Sequence, residues 1–284
     1  MKFFRIITFL LLAMFSGPGV FAQNSVIDTS KIGDNPLIGK YVQVRGISMY
    51  YETYGKGQPV LFIHGNGGSI SNFMYQIPFF ASHFQVIAAD SRAQGKTVDT
   101  GDSLSYEMVA DDLNALLDNL HVDSCEVVGW SDGATEALWL AIRHPKKVKK
   151  LVLTGARLWT DSSSVDPVVI AWADNYIASF DRMKQTSQVK NSRKVAGLMV
   201  NQNPISLSNL EKLQCPTLVI AGDHDIVLPA HTVLIADHLP KSELWILPGA
   251  GNAILVDHTA IYNSIVENFM LTPYKKMAGL DRFN

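Results

Sequence analysis

EVVGWSDG, residues 126–133, decides the fold prediction for this chain. It starts with a short predicted strand containing Val127 and Val128, passes through Ser131 with a glycine two positions to either side, and leads into a helical pattern that ends before Pro145. A residue in a sharp turn from strand to helix leaves little room for side chains on its neighbours, and the flanking glycines relieve that crowding. The stretch therefore predicts a strand, a tight turn and a helix, with the Ser131 hydroxyl lifted above the sheet edge as a candidate nucleophile.

Other apolar runs alternate with helical patterns along the chain. They occupy residues 60–63, 86–89, 151–153, 217–220 and 244–247. Continuous apolar strands are typical of a parallel sheet that is covered on both faces. Residues 41–55 instead alternate in polarity and are rich in β-branched and aromatic side chains, which predicts an antiparallel hairpin. Together these patterns predict an α/β fold with a doubly wound, mostly parallel sheet of eight strands.

The domain organisation follows from the segments that interrupt this alternation. Residues 23–40 are polar with Gly and Pro and are predicted to be a linker, so the folded domain spans residues 41–270. Residues 157–213 contain no strand pattern and are predicted to form a few short helices. The polar C-terminal tail, residues 271–284, is predicted to be loosely ordered.

The N-terminal segment has the layout of a secretory signal peptide. Lys2 and Arg5 precede an apolar run over residues 6–15, and a small-residue cleavage pattern ends at Ala22. The run is too short to span a bilayer comfortably, and an uncleaved N-terminal anchor is the alternative interpretation. The sequence predicts removal of residues 1–22 and an exported protein, periplasmic or secreted, with no permanent membrane anchor.

Composition narrows the choice of partners and cofactors. The chain has 24 Lys+Arg and 26 Asp+Glu, so no surface for nucleic acid or anionic membranes is implied. Its two cysteines, Cys125 and Cys215, each start a predicted buried strand, which favours buried free thiols over a disulfide. The sequence has no Cys/His cluster with zinc spacing and no nucleotide or haem motif, so we expect neither a metal nor another cofactor.

The glycine-rich loop HGNGG, residues 64–68, follows a predicted strand and forms a second part of a candidate site. Sites in open α/β sheets form at the carboxyl ends of the strands. Glycines let the backbone approach a ligand and leave amides free, so the amides of Asn66 and Asp132 are predicted to hold an oxyanion. His64 is predicted to form a structural hydrogen bond in this loop rather than to act as a base.

An acidic residue is expected after the strand at residues 217–220, because a Ser…Asp…His order along the chain requires an acid after the serine. Asp225 is the predicted acid. Asp223 is predicted to be a turn residue that binds local amides. A general base is expected in the last strand exit, PGAGNA at residues 248–253.

These residues together resemble the α/β-hydrolase superfamily, over nearly all of the predicted domain. The resemblance rests on His64-Gly65, on DSRAQG at residues 90–95, on the turn around Ser131, and on GDHD at residues 222–225 with Pro229. The chain is similar to the small esterase, haloperoxidase-like and carbon–carbon-bond hydrolase branches, and its GWSDG turn is similar to the valacyclovir-hydrolase type.

The resemblance implies a role for each part of the candidate site. It makes Ser131 the nucleophile, Asp225 the acid, and the amides of Asn66 and Asp132 the oxyanion hole. It makes residues 157–213 a helical lid inserted after the sixth strand. It implies acyl-enzyme chemistry on a small-molecule acyl substrate, and the aromatic residues of the lid favour an apolar one.

One position departs from the family pattern. The last loop keeps Gly249-Ala250-Gly251, but Asn252 stands where the family has its catalytic histidine. An asparagine amide cannot accept a proton at neutral pH, and a serine hydroxyl without a base is a poor nucleophile. His224, which neighbours Asp225, and His258, on the following helix, are the candidate substitute bases.

The sequence leaves two functions open. The first is an exported serine hydrolase of small, apolar esters or related acyl compounds. In that case Asn252 slows the reaction, another histidine serves as the base, or position 252 is changed by mutation in this particular sequence. The second is a catalytically inactive binding or sensing protein on the same scaffold. Ser131 and Asp225 favour the hydrolase, and Asn252 favours the binding protein. Arg157 is predicted to be a solvated surface residue rather than a recognition group for a charged substrate.

Overall fold

A computed structural model of the protein describes residues 27–277. The strands are β1 (Lys40–Val44), β2 (Ile47–Tyr54), β3 (Gln58–Ile63), β4 (Phe84–Ala89), β5 (Cys125–Trp130), β6 (Val148–Thr154), β7 (Thr217–Gly222) and β8 (Ser242–Leu247). The α-helices are α1 (Gln76–Phe80), α2 (Tyr106–Asn119), α3 (Asp132–Arg143), α4 (Pro167–Asp181), α5 (Ser187–Gly197), α6 (Leu207–Leu210), α7 (Pro229–His238), α8 (Ile254–Asp257) and α9 (Thr259–Leu271). The predicted signal peptide, residues 1–22, lies outside the described residues.

The strands form one sheet in the order β1-β2-β4-β3-β5-β6-β7-β8. β1 and β2 form the predicted antiparallel hairpin, in which Val42 lies opposite Met49, and β2 is also antiparallel to β4. The remaining neighbouring strands are parallel. The structure therefore confirms the predicted eight-stranded, mostly parallel sheet, and β5, which leads to Ser131, lies near its middle.

Helices cover both faces of the sheet, which explains the continuous apolar pattern of its central strands. Val127 of β5 belongs to a core cluster with Leu113 of α2 and Leu138 of α3. The next residue, Val128, belongs to a different cluster with Tyr262 of α9. Because successive strand residues point to opposite faces, a strand that is covered on both faces buries apolar side chains at most of its positions.

The segment predicted to be a linker contacts the sheet over its described part. Glu52 of β2 is buried and accepts hydrogen bonds from the amides of Gly33 and Asn35, at 2.8 and 2.9 Å. It also accepts hydrogen bonds from the hydroxyls of Tyr50 and Tyr54, at 2.6 Å each. A buried carboxylate requires such donors, so this part of the chain is held against β2 rather than free. No local pattern in the segment indicates the contact, because its partner lies on another element.

Three helices, α4, α5 and α6, lie between β6 and β7, in the interval without a strand pattern. We call residues 157–213 the inserted segment. Its helices α4 and α5 pack through Ile177, Phe180 and Ala196. Within residues 27–277, no helix is both long and apolar enough to cross a bilayer.

The two cysteines are both free thiols, as the sequence predicts. Cys125 is buried at the start of β5, and burial raises the pKa of its thiol to about 12. Cys215 precedes β7 by two residues and is only partly buried. The predicted burial is therefore correct for Cys125 and overstated for Cys215, because the latter lies outside the strand.

Glu126 is a buried carboxyl near the start of β5, and burial raises its pKa from 4.5 to about 7. Its Oε1 accepts a hydrogen bond from Gln58 Nε2 at 3.1 Å, and its Oε2 has no partner among the described residues. Because the folded-state pKa is above the unfolded-state value, Glu126 contributes stability that is fully present below pH 4.5. That contribution is lost as the pH rises through about 7.

Glu126→Gln is therefore expected to make the protein less sensitive to rising pH. At pH 8 the free energy of unfolding is expected to exceed that of the unsubstituted protein by about 1–2 kcal/mol, allowing for solvent screening. At about pH 4 the two proteins are expected to agree. Urea denaturation at both pH values measures the difference, with the exposed Glu211→Gln as a control that changes neither value. An equal effect of Glu126→Gln at both pH values would contradict the raised pKa.

Candidate active site

Ser131 lies between β5 and α3 in a strained backbone conformation. Its φ is 57° and its ψ is −122°, outside the regions that residues with a side chain favour. Its amide donates to the carbonyl of Thr154 at 2.7 Å, which ties the turn to β6. The strand–turn–helix arrangement predicted from the sequence is present, and strain of this kind is concentrated at functional sites.

The glycines on either side of Ser131 are required by close backbone contacts. A Cβ on Gly129 would lie less than 3.0 Å from the backbone of Gly133. A Cβ on Gly133 would lie less than 3.0 Å from the carbonyl oxygens of Ile63 and His64. The close approach brings the loop after β3 beside Ser131 with no side chain between them.

The two amides predicted to hold an oxyanion belong to residues that line one cavity with Ser131. Within residues 27–277, the backbone amides of Asn66 and Asp132 donate to no protein acceptor. The side chains of the same residues are joined, since Asn66 Nδ2 donates to Asp132 Oδ2 at 2.8 Å. The structure thus brings Asn66, Ser131 and Asp132 together, as the strand exits indicate.

His64 is buried, and both of its ring nitrogens have partners. Nε2 accepts a hydrogen bond from the amide of Ser91 at 3.0 Å, and Nδ1 lies 2.8 Å from the carbonyl oxygen of Gly65. Because Nε2 accepts, the ring proton is on Nδ1, and neither nitrogen is free to take a proton from Ser131. Burial also lowers the pKa of the imidazole. These contacts agree with the predicted structural role.

Asp225 is buried in the turn after β7. Its Oδ1 accepts hydrogen bonds from Asn252 Nδ2 at 2.9 Å and from the amide of Val227 at 3.2 Å. Its Oδ2 has no partner in the described part of the chain. Burial raises the pKa of this carboxyl, and the hydrogen bond from Asn252 opposes the shift. Asp223 instead accepts a hydrogen bond from the amide of Gly249 at 2.7 Å. This agrees with the prediction that Asp223 is a turn residue that binds backbone amides.

Asn252 lies beside Asp225, in the position where the family resemblance places a base. Its carbonyl accepts a hydrogen bond from Trp130 Nε1 at 2.8 Å, which holds the loop against the end of β5. A Cβ on Gly155 would approach within 3.0 Å of Asn252 Nδ2 and would stand 3.4 Å from Asp225 Oδ2. Because Gly155 also lines the cavity of Ser131, the Asn252–Asp225 pair lies behind the wall of that cavity.

Neither candidate substitute base lines the cavity. The His224 side chain is 79% exposed, and its Nε2 lies 3.9 Å from Asp223 Oδ1. His258 lies at the junction of α8 and α9. Of the described residues that line the cavity with Ser131, none is a histidine. The amide of Asn252 is therefore the group that faces Asp225.

Arg157 is buried, which corrects the prediction of a solvated surface residue. Only 7% of it is exposed. Its Nη2 lies 3.1 Å from Asp132 Oδ1 and 3.1 Å from the hydroxyl oxygen of Tyr106. A buried guanidinium requires a counter-charge, and Asp132 supplies it from 25 positions earlier in the chain. A local sequence pattern cannot reveal a pairing over that separation.

The cavity in front of Ser131 has a volume of about 70 Å³. Its apolar lining comes largely from the inserted segment, through Val165, Val169, Ile170, Trp172, Ala173 and Met199. A space of this size holds a group of only a few heavy atoms. In the part of the chain that the structure describes, no group of three or more potential metal ligands converges.

Sequence analysis missed Gly155, Tyr106 and Arg157 as parts of this site. Gly155 and Arg157 follow the carboxyl end of β6, so a reading of that strand exit would have pointed to both. Tyr106 begins α2, far along the chain from the strand exits, and carries no comparable signal.

Comparison with known proteins identifies the class to which this fold and serine turn belong. The family described as alpha/beta hydrolase fold matches residues 58–201, and the chain belongs to that family. It is 26% identical to the 2-hydroxymuconate semialdehyde hydrolase of Pseudomonas sp. (strain CF600), over 84% of this chain and 95% of that protein. It is 28% identical to the putative carbamate hydrolase RutD of Serratia proteamaculans (strain 568), over 78% of this chain and 96% of that protein.

A solved structure agrees with the fold. A hydrolase from Pseudomonas aeruginosa PA01 superposes with a TM-score of 0.71 at 22% identity, covering 82% of this chain and 98% of that one. At that identity the likeness shows the fold alone. Family membership and the two sequence relatives, which are named as hydrolases, support hydrolase activity for this chain.

Proposed function

We propose that this chain is an exported serine hydrolase that cleaves small, apolar esters or related acyl compounds through an acyl-enzyme on Ser131. One observation carries the proposal: the strained Ser131, at φ 57°, shares a small apolar cavity with Asn66 and Asp132, whose amides have no protein acceptor in the described structure. Export rests on the signal-peptide pattern of residues 1–22.

The proposed reaction has two halves. In the first, Ser131 Oγ attacks the carbonyl carbon of the substrate, and the carbonyl oxygen becomes an oxyanion that the amides of Asn66 and Asp132 stabilise. The Oγ proton passes to solvent, the bond between the acyl carbon and the leaving group breaks, and the leaving group takes up a proton from solvent as it departs. In the second, water attacks the acyl-enzyme, releases the acid and restores the serine hydroxyl. A cavity of about 70 Å³ favours a short acyl group.

Asn252 makes the proposed reaction slow. Removing the base of a serine triad costs about a factor of 10⁶ in turnover. The oxyanion hole and substrate binding retain about a thousandfold acceleration over water. The proposed enzyme therefore turns over far more slowly than a relative with histidine in this place.

Labelling with a fluorophosphonate probe tests the nucleophile. The unsubstituted protein is expected to form the adduct on Ser131 slowly, because the attack on phosphorus proceeds without a histidine base. The adduct is expected to accumulate on long incubation, because it has no deacylation step to complete. Ser131→Ala is expected to abolish the adduct, whereas the exposed Ser163→Ala is expected to leave it unchanged. Mass spectrometry of the intact protein and its peptides measures both. Equal labelling of Ser131→Ala and the unsubstituted protein would show that Ser131 is not the nucleophile.

A catalytically inactive binding or sensing protein is the second candidate function. The 2.9 Å hydrogen bond from Asn252 to Asp225 favours it. The acid is already paired with an amide, which cannot accept the proton of Ser131 as a histidine would. A protein that resists the probe but gains thermal stability from a small apolar ligand would support this candidate over the hydrolase.

A further inference from the structure

Four polar side chains form a connected group at the cavity of Ser131, and three of the four residues line that cavity. Arg157 Nη2 lies 3.1 Å from both Asp132 Oδ1 and the hydroxyl oxygen of Tyr106, and Asn66 Nδ2 lies 2.8 Å from Asp132 Oδ2. Asp132 and Arg157 are 5% and 7% exposed. We call these four side chains the Asp132 network.

The carboxylate of Asp132 has a protein donor on each of its two oxygens. Oδ1 accepts a hydrogen bond from Arg157, and Oδ2 accepts one from Asn66. It is therefore committed to protein contacts rather than left open to a cationic substrate. Breaking a buried charge pair leaves an uncompensated charge, so the network has one strongly preferred arrangement.

The network includes both residues whose backbone amides are predicted to form the oxyanion hole, Asn66 and Asp132. Asp132 is the first residue of α3, and its side chain fixes Asn66, which lies in a loop without regular structure. The distance between the two amides depends on how α3 and the loop are placed. The Asn66–Asp132 hydrogen bond connects those two elements directly.

The network also holds the end of α5 over the cavity. Asn66 Nδ2 donates to the carbonyl of Val195 at 2.8 Å. The hydroxyl of Tyr106 donates to the carbonyl of Leu198 at 3.2 Å, and Arg157 Nη2 lies 3.4 Å from the same oxygen. The Val195 carbonyl also accepts the amide of Leu198 at 3.1 Å, whereas the Leu198 carbonyl, just past the end of α5, accepts no backbone amide from outside the regular elements among residues 27–277. Carbonyls at a helix C-terminus lack intrahelical partners and need such donors. Met199, the next residue, lines the cavity.

We propose that Asp132 is a positioning residue, whose carboxylate sets the two oxyanion amides relative to each other and holds the end of α5 closed over Ser131. The effect of Asp132 on catalysis rests on the proposed function. Its effect on structure, which is to attach α5 and the loop at residues 64–68, does not depend on any activity.

Asp132→Asn tests the proposal at nearly constant side-chain volume. An asparagine presents one acceptor and one donor, so it cannot accept from both Arg157 and Asn66. Hydrogen exchange of the last turn of α5 and of residues 64–68 is expected to become at least about tenfold faster. The rate of fluorophosphonate labelling is expected to fall about 10- to 100-fold, less than the loss from deleting an oxyanion donor. With p-nitrophenyl acetate, kcat is expected to fall while KM stays within about twofold.

Asp181→Asn is the matched control. Asp181 lies on α4 of the inserted segment and pairs with Arg193 at 2.6 Å, with both side chains exposed. Exposed pairs contribute little, so exchange near the site and labelling are expected to stay unchanged. Asn66→Ala is a second variant. It breaks the Asn66–Asp132 hydrogen bond and keeps the buried charges of Asp132 and Arg157 paired with each other. It is expected to act in the same direction as Asp132→Asn and keeps the test decisive if that variant fails to fold.

The outcomes separate this proposal from the proposed function. Faster exchange together with slower labelling supports a positioning role. Unchanged exchange at both segments in the folded variants overturns it, and so does unchanged labelling of variants whose exchange is faster. If the unsubstituted protein resists the probe, the proposed function fails, and the exchange result alone decides whether Asp132 holds α5 and the loop.

Discussion

Replacing Asn252 with histidine is expected to increase the hydrolysis of p-nitrophenyl acetate at least about 100-fold, the lower end of what a positioned general base contributes. Asn252 Nδ2 already donates to Asp225 Oδ1 at 2.9 Å. An imidazole attached at the same position can donate its Nδ1 proton to the same carboxylate, which leaves Nε2 as an acceptor for the Ser131 proton.

The surroundings of Asn252 set one requirement for that ring, which is that position 155 stays a glycine. Gly155 lies against the Asn252 amide, and a Cβ there would come within 3.0 Å of it. Because Gly155 has no side chain, it separates position 252 from the cavity of Ser131 by backbone alone. The Trp130 hydrogen bond goes to the backbone carbonyl of Asn252 and is kept in the variant.

Two further variants control the histidine experiment. Asn252→Ala removes the hydrogen bond to Asp225 without supplying a base, so we expect no gain in hydrolysis. Ser131→Ala in the histidine background is expected to remove the gained activity, because the new base has no nucleophile to act on. If the unsubstituted protein already hydrolyses the ester as fast as Asn252→His, the base is another group and the inference from Asn252 is wrong.

Replacing Gly133 with alanine is expected to lower the free energy of unfolding by more than about 3 kcal/mol, beyond the usual range for overpacking. The added Cβ would lie less than 3.0 Å from the carbonyl oxygens of Ile63 and His64. Those atoms belong to the backbone at the end of the central strand β3 and cannot move aside like a flexible side chain. Urea denaturation measures the change.

Gly197→Ala is the matched control for Gly133→Ala. Gly197 lies in α5, and the nearest atom to its added Cβ is Asn201 Nδ2 at 4.0 Å. Alanine favours a helix over glycine by about 0.5–1 kcal/mol, so the control is expected to be unchanged or slightly stabilised. A Gly133→Ala protein as stable as the control would contradict the close approach of α3 to β3.

Much of the fold could be predicted from the sequence because its signals are local. The continuous apolar run over residues 60–63 indicates a strand that is covered on both faces, and the alternating run over residues 41–55 indicates the antiparallel hairpin. The packing of residues 27–39 could not be predicted in this way. It depends on the carboxylate of Glu52, which needs donors only because it is buried on another element.

Some features of the candidate site could likewise be predicted from the sequence, and others could not. Ser131, Asn66 and Asp225 follow the parallel strands β5, β3 and β7, whose carboxyl ends lie at one edge of the sheet. The 79% exposure of the His224 side chain agrees with the divergence from Asp225 that the sequence predicts, because consecutive residues in an extended turn point in different directions.

By itself, the sequence determined the strand–turn–helix around Ser131, the parallel sheet that carries it, and the presence of Asn252 where a base is expected. These features depend on residue type and on spacing within a few positions. Only the tertiary structure decided that Arg157 is buried against Asp132, that Asn252 donates to Asp225, and that the cavity holds about 70 Å³. Each of these depends on distances between elements far apart in the chain, and the strength of a charge pair or hydrogen bond depends on the burial that packing creates.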